Sequence, residues 1–481
     1  MEYLLGENWH ALLAAADVII ALVASGHVIL HKQDPRAAIG WIGVIWLAPL
    51  VGSGLYYLFG INRIARRAAR LRGGQVTPDR PARMRVVDPF DNDAPERFGP
   101  LVSLARAGTR VTAAELVDGN SIMPLIDGDQ AFPTMLQAID QASRSITFCT
   151  YIFDADAAGQ AFADALGRAV RRGVEVRVLV DDVGARYSWG RGVRLLRQAG
   201  IPTATFLPTF PSWHFRYANM RNHRKVLVID GRLGFTGGMN VRVGNNRTAD
   251  PRRAIQDVHF RIDGPVVHQL QSTFAVDWSF TTGERLEGQP WYGTPNTGGS
   301  AVCRAIADGP DEDIDRLQRL ILAAITSAQK SIRIVTPYFI PETPLALALS
   351  VAALKGVHVD IVLPQRNNLR LVQWASTAIL PPLIESGCHV WYSPPPFDHS
   401  KILVVDDQWS LIGSANWDQR SLRLNFELDV ECFDRTTATH LHRIVQSKIA
   451  RSRPVTAEQL RQAPLWQRLR NGAARLASPY L

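Results

Sequence analysis

The chain has 481 residues, 46% of them hydrophobic, with a formal net charge of +9 and a pI near 9.6. That length excludes one small domain and points to two or three with sizeable cores, while the positive balance favours an anionic partner: nucleic acid, anionic lipid or a phosphate-bearing substrate. The four cysteines, Cys149, Cys303, Cys388 and Cys432, are scattered without Cys-x-x-Cys spacing, which argues against a zinc cage and reads as small buried hydrophobes in a reducing compartment.

Two apolar stretches come first. Residues 11–30 break their apolar run only at Asp17, Ser25, Gly26 and His27, and residues 37–59 carry no charge. At about 1.5 Å of rise per residue, each can cross the roughly 30 Å hydrocarbon core of a bilayer. The polar link between them is short, so residues 1–60 read as a transmembrane helical hairpin. Trp9, Trp41, Tyr56 and Tyr57 fall near span ends, where aromatic rings favour the interface. A signal peptide fits poorly, because residues 1–10 hold no Lys or Arg and a second span follows at once. A pair of buried core helices is the soluble alternative. Asp17 is expected to face the partner helix. Arg63, Arg66, Arg67, Arg70 and Arg72 follow the second span, which places that end, and with it both termini, in the cytoplasm.

Residues 61–110 are rich in Arg, Pro and Asp with little periodicity. They read as a basic membrane-proximal linker. Beyond it the chain repeats itself. Residues 138–139 and 145–151 parallel 324–325 and 331–337, 173–180 parallel 356–363, Gly200 parallels Gly387, and His223-Arg224-Lys225 parallels His399-Ser400-Lys401. The separations are 186, 183, 187 and 176 residues, and four landmarks in one order at a near-constant lag indicate duplication. Each half alternates Val/Ile-rich strands with Ala/Leu/Arg helical stretches, an α/β pattern. Residues 111–295 and 296–455 are therefore two equivalent domains, able to pack about a pseudo-twofold axis with one site at their junction. Residues 456–481 form a basic tail. Leu465, Trp466, Leu469 and Leu476 recur there at helical spacing between arginines, which suits either a bilayer surface or an ordinary packed helix.

The first motif runs from His223 and Lys225 through Asp230 to Gly237, Gly238 and Asn240, and the second from His399 and Lys401 through Asp406 to Gly413, Ser414 and Asn416. Read as strands, His and Lys share a face, while Asp230 and Asp406, seven residues on, do not. A hairpin with a two-residue turn centred between Gly231 and Arg232 would set Asn240 opposite His223, and likewise Asn416 opposite His399. Imidazole can attack phosphorus or move protons near neutral pH. Lysine and asparagine NH₂ groups can hold phosphate oxygens as charge builds.

Both motifs match the phospholipase D superfamily pattern His-x-Lys-x₄-Asp-x₆-Gly-Ser/Gly-x-Asn. With the N-terminal hairpin, residues 336–341, 422–427 and 464–468, the chain resembles bacterial cardiolipin synthases of the two-span type. The resemblance implies duplicated phospholipase D-like α/β sandwich domains. It further implies transfer of a phosphatidyl group from one phosphatidylglycerol to another through a phosphatidyl-histidine, releasing glycerol. His223, Lys225, Asp230, His399, Lys401 and Asp406 then form the catalytic motifs, with His223 as nucleophile and His399 as general acid and then base. Asn240, Asn416 and Ser414 would bind phosphate, and no metal or other cofactor is implied. Asp257 and Glu427 match the carboxylates that orient the histidines of the first and second copies. Gly238 stands where many members have Ser, which puts a hydroxyl contact from the first half in doubt. The implied partners are membrane phospholipids and an anionic bilayer surface, not nucleic acid. The implied location is the bacterial inner membrane, multi-pass, with a cytoplasmic catalytic domain. A phospholipase D using water or another alcohol, a nuclease of the same superfamily, and an inactive membrane scaffold are the rival readings.

Overall fold

The computed structural model describes residues 2–32, 35–60, 85–112, 114–208, 220–249, 251–252, 254–310 and 315–478. The chain divides into two compact units, residues 1–71 and 72–481. The arginines at 63, 66, 67, 70 and 72 lie outside the described residues.

In the first unit a 30-residue helix, Glu2–His31, contains the apolar stretch Leu12–His31 with mean hydropathy 2.1. The second expected span is not one helix. It forms Pro35–Leu47, breaks at Ala48 (φ −150°, ψ 81°), and resumes as Pro49–Leu55 and a π-helical turn Tyr56–Gly60. Pro49 explains the break: it has no N–H for the helical ladder, and its ring drives the preceding residue out of helical geometry. Of the two stretches, only the first is by itself a helix long and apolar enough to cross a bilayer. Ala21, Val28, Ile45 and Tyr56 pack together, and Trp46 Nε1 donates to Ser25 Oγ at 3.2 Å. Asp17 is half-buried.

The second unit begins inside the expected linker. Strand β1 (Val86–Val87) pairs with β2 (Leu116–Ile126), and helices Ala94–Phe98 and Val102–Thr112 pack onto the body. Leu101, Leu104, Ala105 and Gly108 form one helical face that is buried. Phe98 meets Phe433 edge-on at 5.0 Å. Residues 85–110 are thus part of the folded body, not a tether; their Pro- and Asp-rich flanks masked the periodicity.

The first half continues with β3 (Ser145–Thr150), β4 (Glu175–Asp181), β5 (Thr203–Phe206), β6 (Arg221–Asn222), β7 (Val226–Ile229), β8 (Leu233–Gly237), β9 (Ile255–Gln256) and β10 (Val258–Asp263). The second half holds β11 (Ala301–Asp308), β12 (Ser331–Val335), β13 (His358–Pro364), β14 (His389–Ser393), β15 (Phe397–Asp398), β16 (Ile402–Val405), β17 (Trp409–Gly413), β18 (Asn425–Phe433) and β19 (Arg453–Val455). The first sheet runs β2-β10-β8-β7-β3-β4-β5. The second runs β11-β18-β17-β16-β12-β13-β14-β19. The orders correspond strand for strand until β19, and β2 joins β11 antiparallel where the halves meet. In both halves three strands are parallel and joined by helices, the arrangement that covers a sheet on its face.

Three large apolar cores follow among the described residues. One lies in each half, around Phe162 and Leu166 in the first and Leu320 and Leu349 in the second. The third is shared, with Val226, Phe260 and Phe274 from one half and Val404, Leu428 and Leu441 from the other. At about 1.5–3 kcal/mol per fully buried aliphatic or Phe side chain, this shared core fixes the halves against each other. All four cysteines are buried and unpaired. Two short parallel pairs also cross the junction: β6 with the start of β18, and β9 with β15.

Candidate active site

Those two crossings deliver the histidines. His223 follows β6, and its N–H donates to the Phe426 carbonyl at 2.9 Å; His399 follows β15 and donates to the Gln256 carbonyl at 2.7 Å. Each histidine is thus seated on the strand that leads, in the other half, to a carboxylate. His223 Nδ1 lies 3.0 Å from Glu427 Oε2, and His399 Nδ1 lies 3.0 Å from Asp257 Oδ2. Chain order suggested that Asp257 serves the first copy and Glu427 the second. The structure pairs them crosswise, because β6–β18 and β9–β15 exchange partners between the halves.

The middle residues of the motifs point the other way and anchor it. Arg224 is buried, with Nη1 2.6 Å from Asp277 Oδ1 and Nε donating to the Glu427 carbonyl at 3.0 Å. In the second copy Ser400 Oγ donates to Asp398 Oδ1 at 2.7 Å, and Lys448 pairs with the same carboxylate at 2.5 Å. The lysines share the histidine face. Lys225 Nζ donates to the His223 carbonyl and Lys401 Nζ to the His399 carbonyl, both at 2.5 Å.

The hairpins differ by one residue from the expected register. Ile229 pairs with Leu233 and Val405 with Trp409, so the turns hold three residues, Asp230–Arg232 and Asp406–Gln408. Asp230, Gly231, Asp406 and Asp407 all take positive φ between 53° and 62°, a conformation that Gly, Asp and Asn tolerate best. The ladder ends at Gly237 and Gly413, so neither asparagine lies directly across from its histidine. Asn240 is still buried beside Lys225, where both line one small pocket with His259, and its Oδ1 accepts from the Ile152 N–H at 3.1 Å. Asn416 Nδ2 donates to Ser421 Oγ at 3.2 Å.

The aspartates of the motifs stand at the far ends of their strands from the imidazoles. Asp230 accepts from the N–H groups of Ser143, Arg144 and Ser145, and Asp406 from those of Gln329, Lys330 and Ser331, at 2.7–3.2 Å. They tie each hairpin to the start of β3 or β12. Ser414, expected at phosphate, is fully buried instead. Its Oγ donates to Glu427 Oε2 at 2.6 Å and accepts from the Leu428 N–H at 3.0 Å. Its counterpart Gly238 leaves no such room, since a Cβ there would lie 2.5 Å from Asp257 Oδ1.

Electrostatics separate the two dyads. Burial pushes His223 down to about 4, and burial together with Lys401, Lys225 and His223 holds His399 well below the ordinary imidazole value. Each lysine acts on the other copy's histidine, which places both motifs in one site. Both imidazoles are neutral near pH 7, and with Nδ1–H given to a carboxylate the Nε2 lone pair is free for chemistry. Burial favours a neutral Glu427, but His223, Lys225 and Ser414 outweigh it and keep that carboxyl below the usual range; burial raises Asp257 to about 7. Burial also pushes Lys225 down to about 7 and Lys401 to about 8, offset in part by the same two carboxylates.

Sequence reasoning missed several neighbours. The Tyr151 ring stands edge-on to His223 at 5.2 Å, and Tyr338 to His399 at 6.4 Å. These tyrosines are not equivalent under the duplication, since Thr150-Tyr151-Ile152-Phe153 matches Thr336-Pro337-Tyr338-Phe339 and places Tyr338 opposite Ile152; each half brings a ring to its histidine from a different position. His259 and Asp429 stand two residues beyond the orienting carboxylates. Burial pushes His259 down to about 3 and Asp429 well above its ordinary value.

A family model described as cardiolipin synthase, phospholipase D-like domain, matches residues 135–278 and 321–449, and a phospholipase D-nuclease N-terminal model matches residues 19–60. The chain is 30% identical to the major cardiolipin synthase of Bacillus subtilis, covering 97% of each protein. It is 32% identical to a cardiolipin synthase of Geobacillus kaustophilus, covering 98% of this chain and 93% of that one. Among solved structures, a phosphatidylserine synthase of Haemophilus influenzae overlays with a TM-score of 0.59 at 15% identity, over 79% of this chain and all of the other, a likeness of fold. With both halves of the duplication matched and full-length relatives at this identity, the chain belongs to the cardiolipin synthase family of phospholipase D-like proteins.

Proposed function

We propose that the protein is a phosphatidyltransferase that joins two phosphatidylglycerol molecules into cardiolipin and glycerol. The observation that carries this reading is the single buried site holding two neutral imidazoles, each with Nδ1 at 3.0 Å from a carboxylate of the other half, beside Lys225 and Lys401. One group can act as nucleophile while the other moves protons.

His223 Nε2 attacks phosphorus of the first phosphatidylglycerol, and the bond from phosphorus to the glycerol oxygen breaks. His399, protonated at Nε2 once the anionic phosphodiester is bound, gives that oxygen its proton, and glycerol leaves. His399, now neutral, takes the proton from a headgroup hydroxyl of the second phosphatidylglycerol. That oxygen attacks phosphorus, the P–N bond breaks, and His223 is regenerated. The role assignment rests on the asymmetry of the carboxylates. Asp257, raised to about 7 by burial, lets the His399 dyad hold an extra proton near neutrality, whereas Glu427, held below the usual range against its burial, keeps His223 oriented. The anionic phosphodiester itself favours protonation of a buried imidazole. Lys225, Lys401 and the amide groups of Asn240 and Asn416 stabilise the oxygens of the pentacoordinate transition state.

We propose the membrane topology on the apolar N-terminal stretches. Residues 1–60 form a two-span anchor with both termini cytoplasmic, so the catalytic unit works on the inner leaflet of a bacterial cell membrane. The two sheets support domain limits near residues 111–295 and 296–455, with 85–110 belonging to the body.

Purified full-length protein is supplied with phosphatidylglycerol labelled in its glycerol headgroup. Cardiolipin and free labelled glycerol in equal amounts support transfer. Phosphatidic acid without cardiolipin would assign hydrolysis instead.

A further inference from the structure

The helix Leu465–Leu476 is amphipathic in the reverse sense. Its inward side presents Asn471 and Ala474, the residues of this helix that are buried. Outward it carries Leu465, Leu469 and Leu476, 64–81% exposed, with Trp466 at 61%. Leu465, Leu469 and Leu476 fall at i, i+4 and i+11, one stripe of a 3.6-residue helix. A helix folding against a protein core in water would turn this stripe inward. Arg468 and Arg475 are exposed beside it, and the Arg470 guanidinium lies over the rings of Trp374 at 4.4 Å and Trp466 at 5.2 Å.

The stripe is close to the active-site mouth. Ala474 packs with Ile340 and Val372, and Tyr338 borders that cluster. Tyr338 faces His399 and its hydroxyl donates to Asn368 Oδ1 at 2.9 Å. Leu369 and Leu371, next in the chain, are about half exposed with Arg370 between them.

We infer that this surface, the outward face of Leu465–Leu476 with Leu369 and Leu371, docks into an anionic bilayer and holds the site mouth at the lipid surface. Leucine and tryptophan enter the acyl boundary while Arg468, Arg475 and Arg370 meet phosphate headgroups, the pattern of an interfacial helix. That charge complementarity selects a bilayer over a neutral protein partner. The inference rests on the proposed lipid substrate, which must be lifted from a membrane to reach buried histidines.

The test uses the full chain in vesicles of phosphatidylglycerol and phosphatidylethanolamine. The native cysteines are buried, so Leu469→Cys can carry an environment-sensitive fluorophore, with the exposed Gln198→Cys as control. Docking predicts a blue shift and quenching by acyl-chain spin labels at Leu469→Cys alone. A label quenched freely by iodide, or shielded from iodide yet untouched by lipid spin labels (the signature of self-association), overturns it. In parallel, Leu465→Glu/Leu469→Glu should lower turnover of vesicle phosphatidylglycerol at least tenfold while leaving turnover of monomeric short-chain phosphatidylglycerol within twofold, which also proves folding. Equal activity of the variant on vesicles overturns the inference. If wild type forms no cardiolipin from either substrate, the proposed reaction fails while the fluorescence result stands by itself.

Discussion

At the scale of single residues, the buried cations make activity depend on pH in a way that can be signed. His223 must be neutral to attack, so kcat/KM rises with pH through its value of about 4. The lysines must be charged to hold phosphate, so kcat/KM falls as pH climbs through about 7–8. A bell with those limbs is expected in initial rates on monomeric substrate; a rate that keeps rising to pH 9 would remove the lysines from the chemistry. Ser414→Ala tests the hydroxyl reassigned to Glu427. Removing one of the two donors to the buried Glu427 Oε2 costs about 1.5–3 kcal/mol, the worth of a hydrogen bond to a charged group, read as a lower midpoint in thermal unfolding. Because Glu427 then loses orientation, turnover falls with little change in KM. A phosphate-binding serine would instead raise KM. The motifs were legible because strand chemistry repeats at fixed spacing. The Ser414 role was not, because a hydroxyl two residues from a catalytic asparagine suits phosphate or a buried carboxylate equally until the fold is known.

At the scale of strands and hairpins, the exchange of β6–β18 and β9–β15 partners decides which carboxylate serves which step. Glu427→Gln should therefore resemble a nucleophile defect, with formation of the phosphatidyl-enzyme slowed about 10²–10⁴-fold. Asp257→Asn should resemble loss of His399. It forms the intermediate with a good leaving-group substrate that needs no acid, then fails to resolve it, so radiolabelled lipid stays on the protein. Reversal of the two phenotypes would restore the pairing that chain order suggests. Pairing over 142 and 204 residues could not be read from sequence, since nothing local distinguishes an orienting carboxylate of one's own half from that of its twin. Turn length was also hidden. An Asp-Gly pair suggests a two-residue loop, but here Asp230 and Asp406 are recruited to bind three consecutive N–H groups on the neighbouring strand, and the loop takes a third residue. Asp406→Ala should accordingly destabilise by about 2–4 kcal/mol and leave the KM of the surviving folded enzyme unchanged.

For the whole molecule, the duplication, the paired motifs and the apolar N-terminus were all visible as patterns along the chain, whereas the break at Ala48-Pro49 was visible only as a lone proline in an uncharged run. That break bears on topology. A straight helix over residues 37–59 would cross the membrane without difficulty. The pieces Pro35–Leu47 and Pro49–Leu55 are 13 and 7 residues long, about 20 and 10 Å, so a complete crossing requires them to run nearly end to end. In the structure they instead fold back on each other: a Cβ on Gly52 would overlap the Val44 carbonyl oxygen, and the Tyr56 ring meets that of Trp41 at 5.4 Å. The two-span proposal therefore requires the second stretch to straighten in the bilayer, and it has a direct consequence. Lys32→Cys, between the helices, should react with a membrane-impermeant maleimide in intact cells. Gln198→Cys, in the catalytic unit, should react only after the membrane is opened. If both residues are protected until permeabilisation, the second stretch re-enters on the side it left, the first helix begins on the opposite face, and the N-terminus moves outside while the catalytic unit stays in.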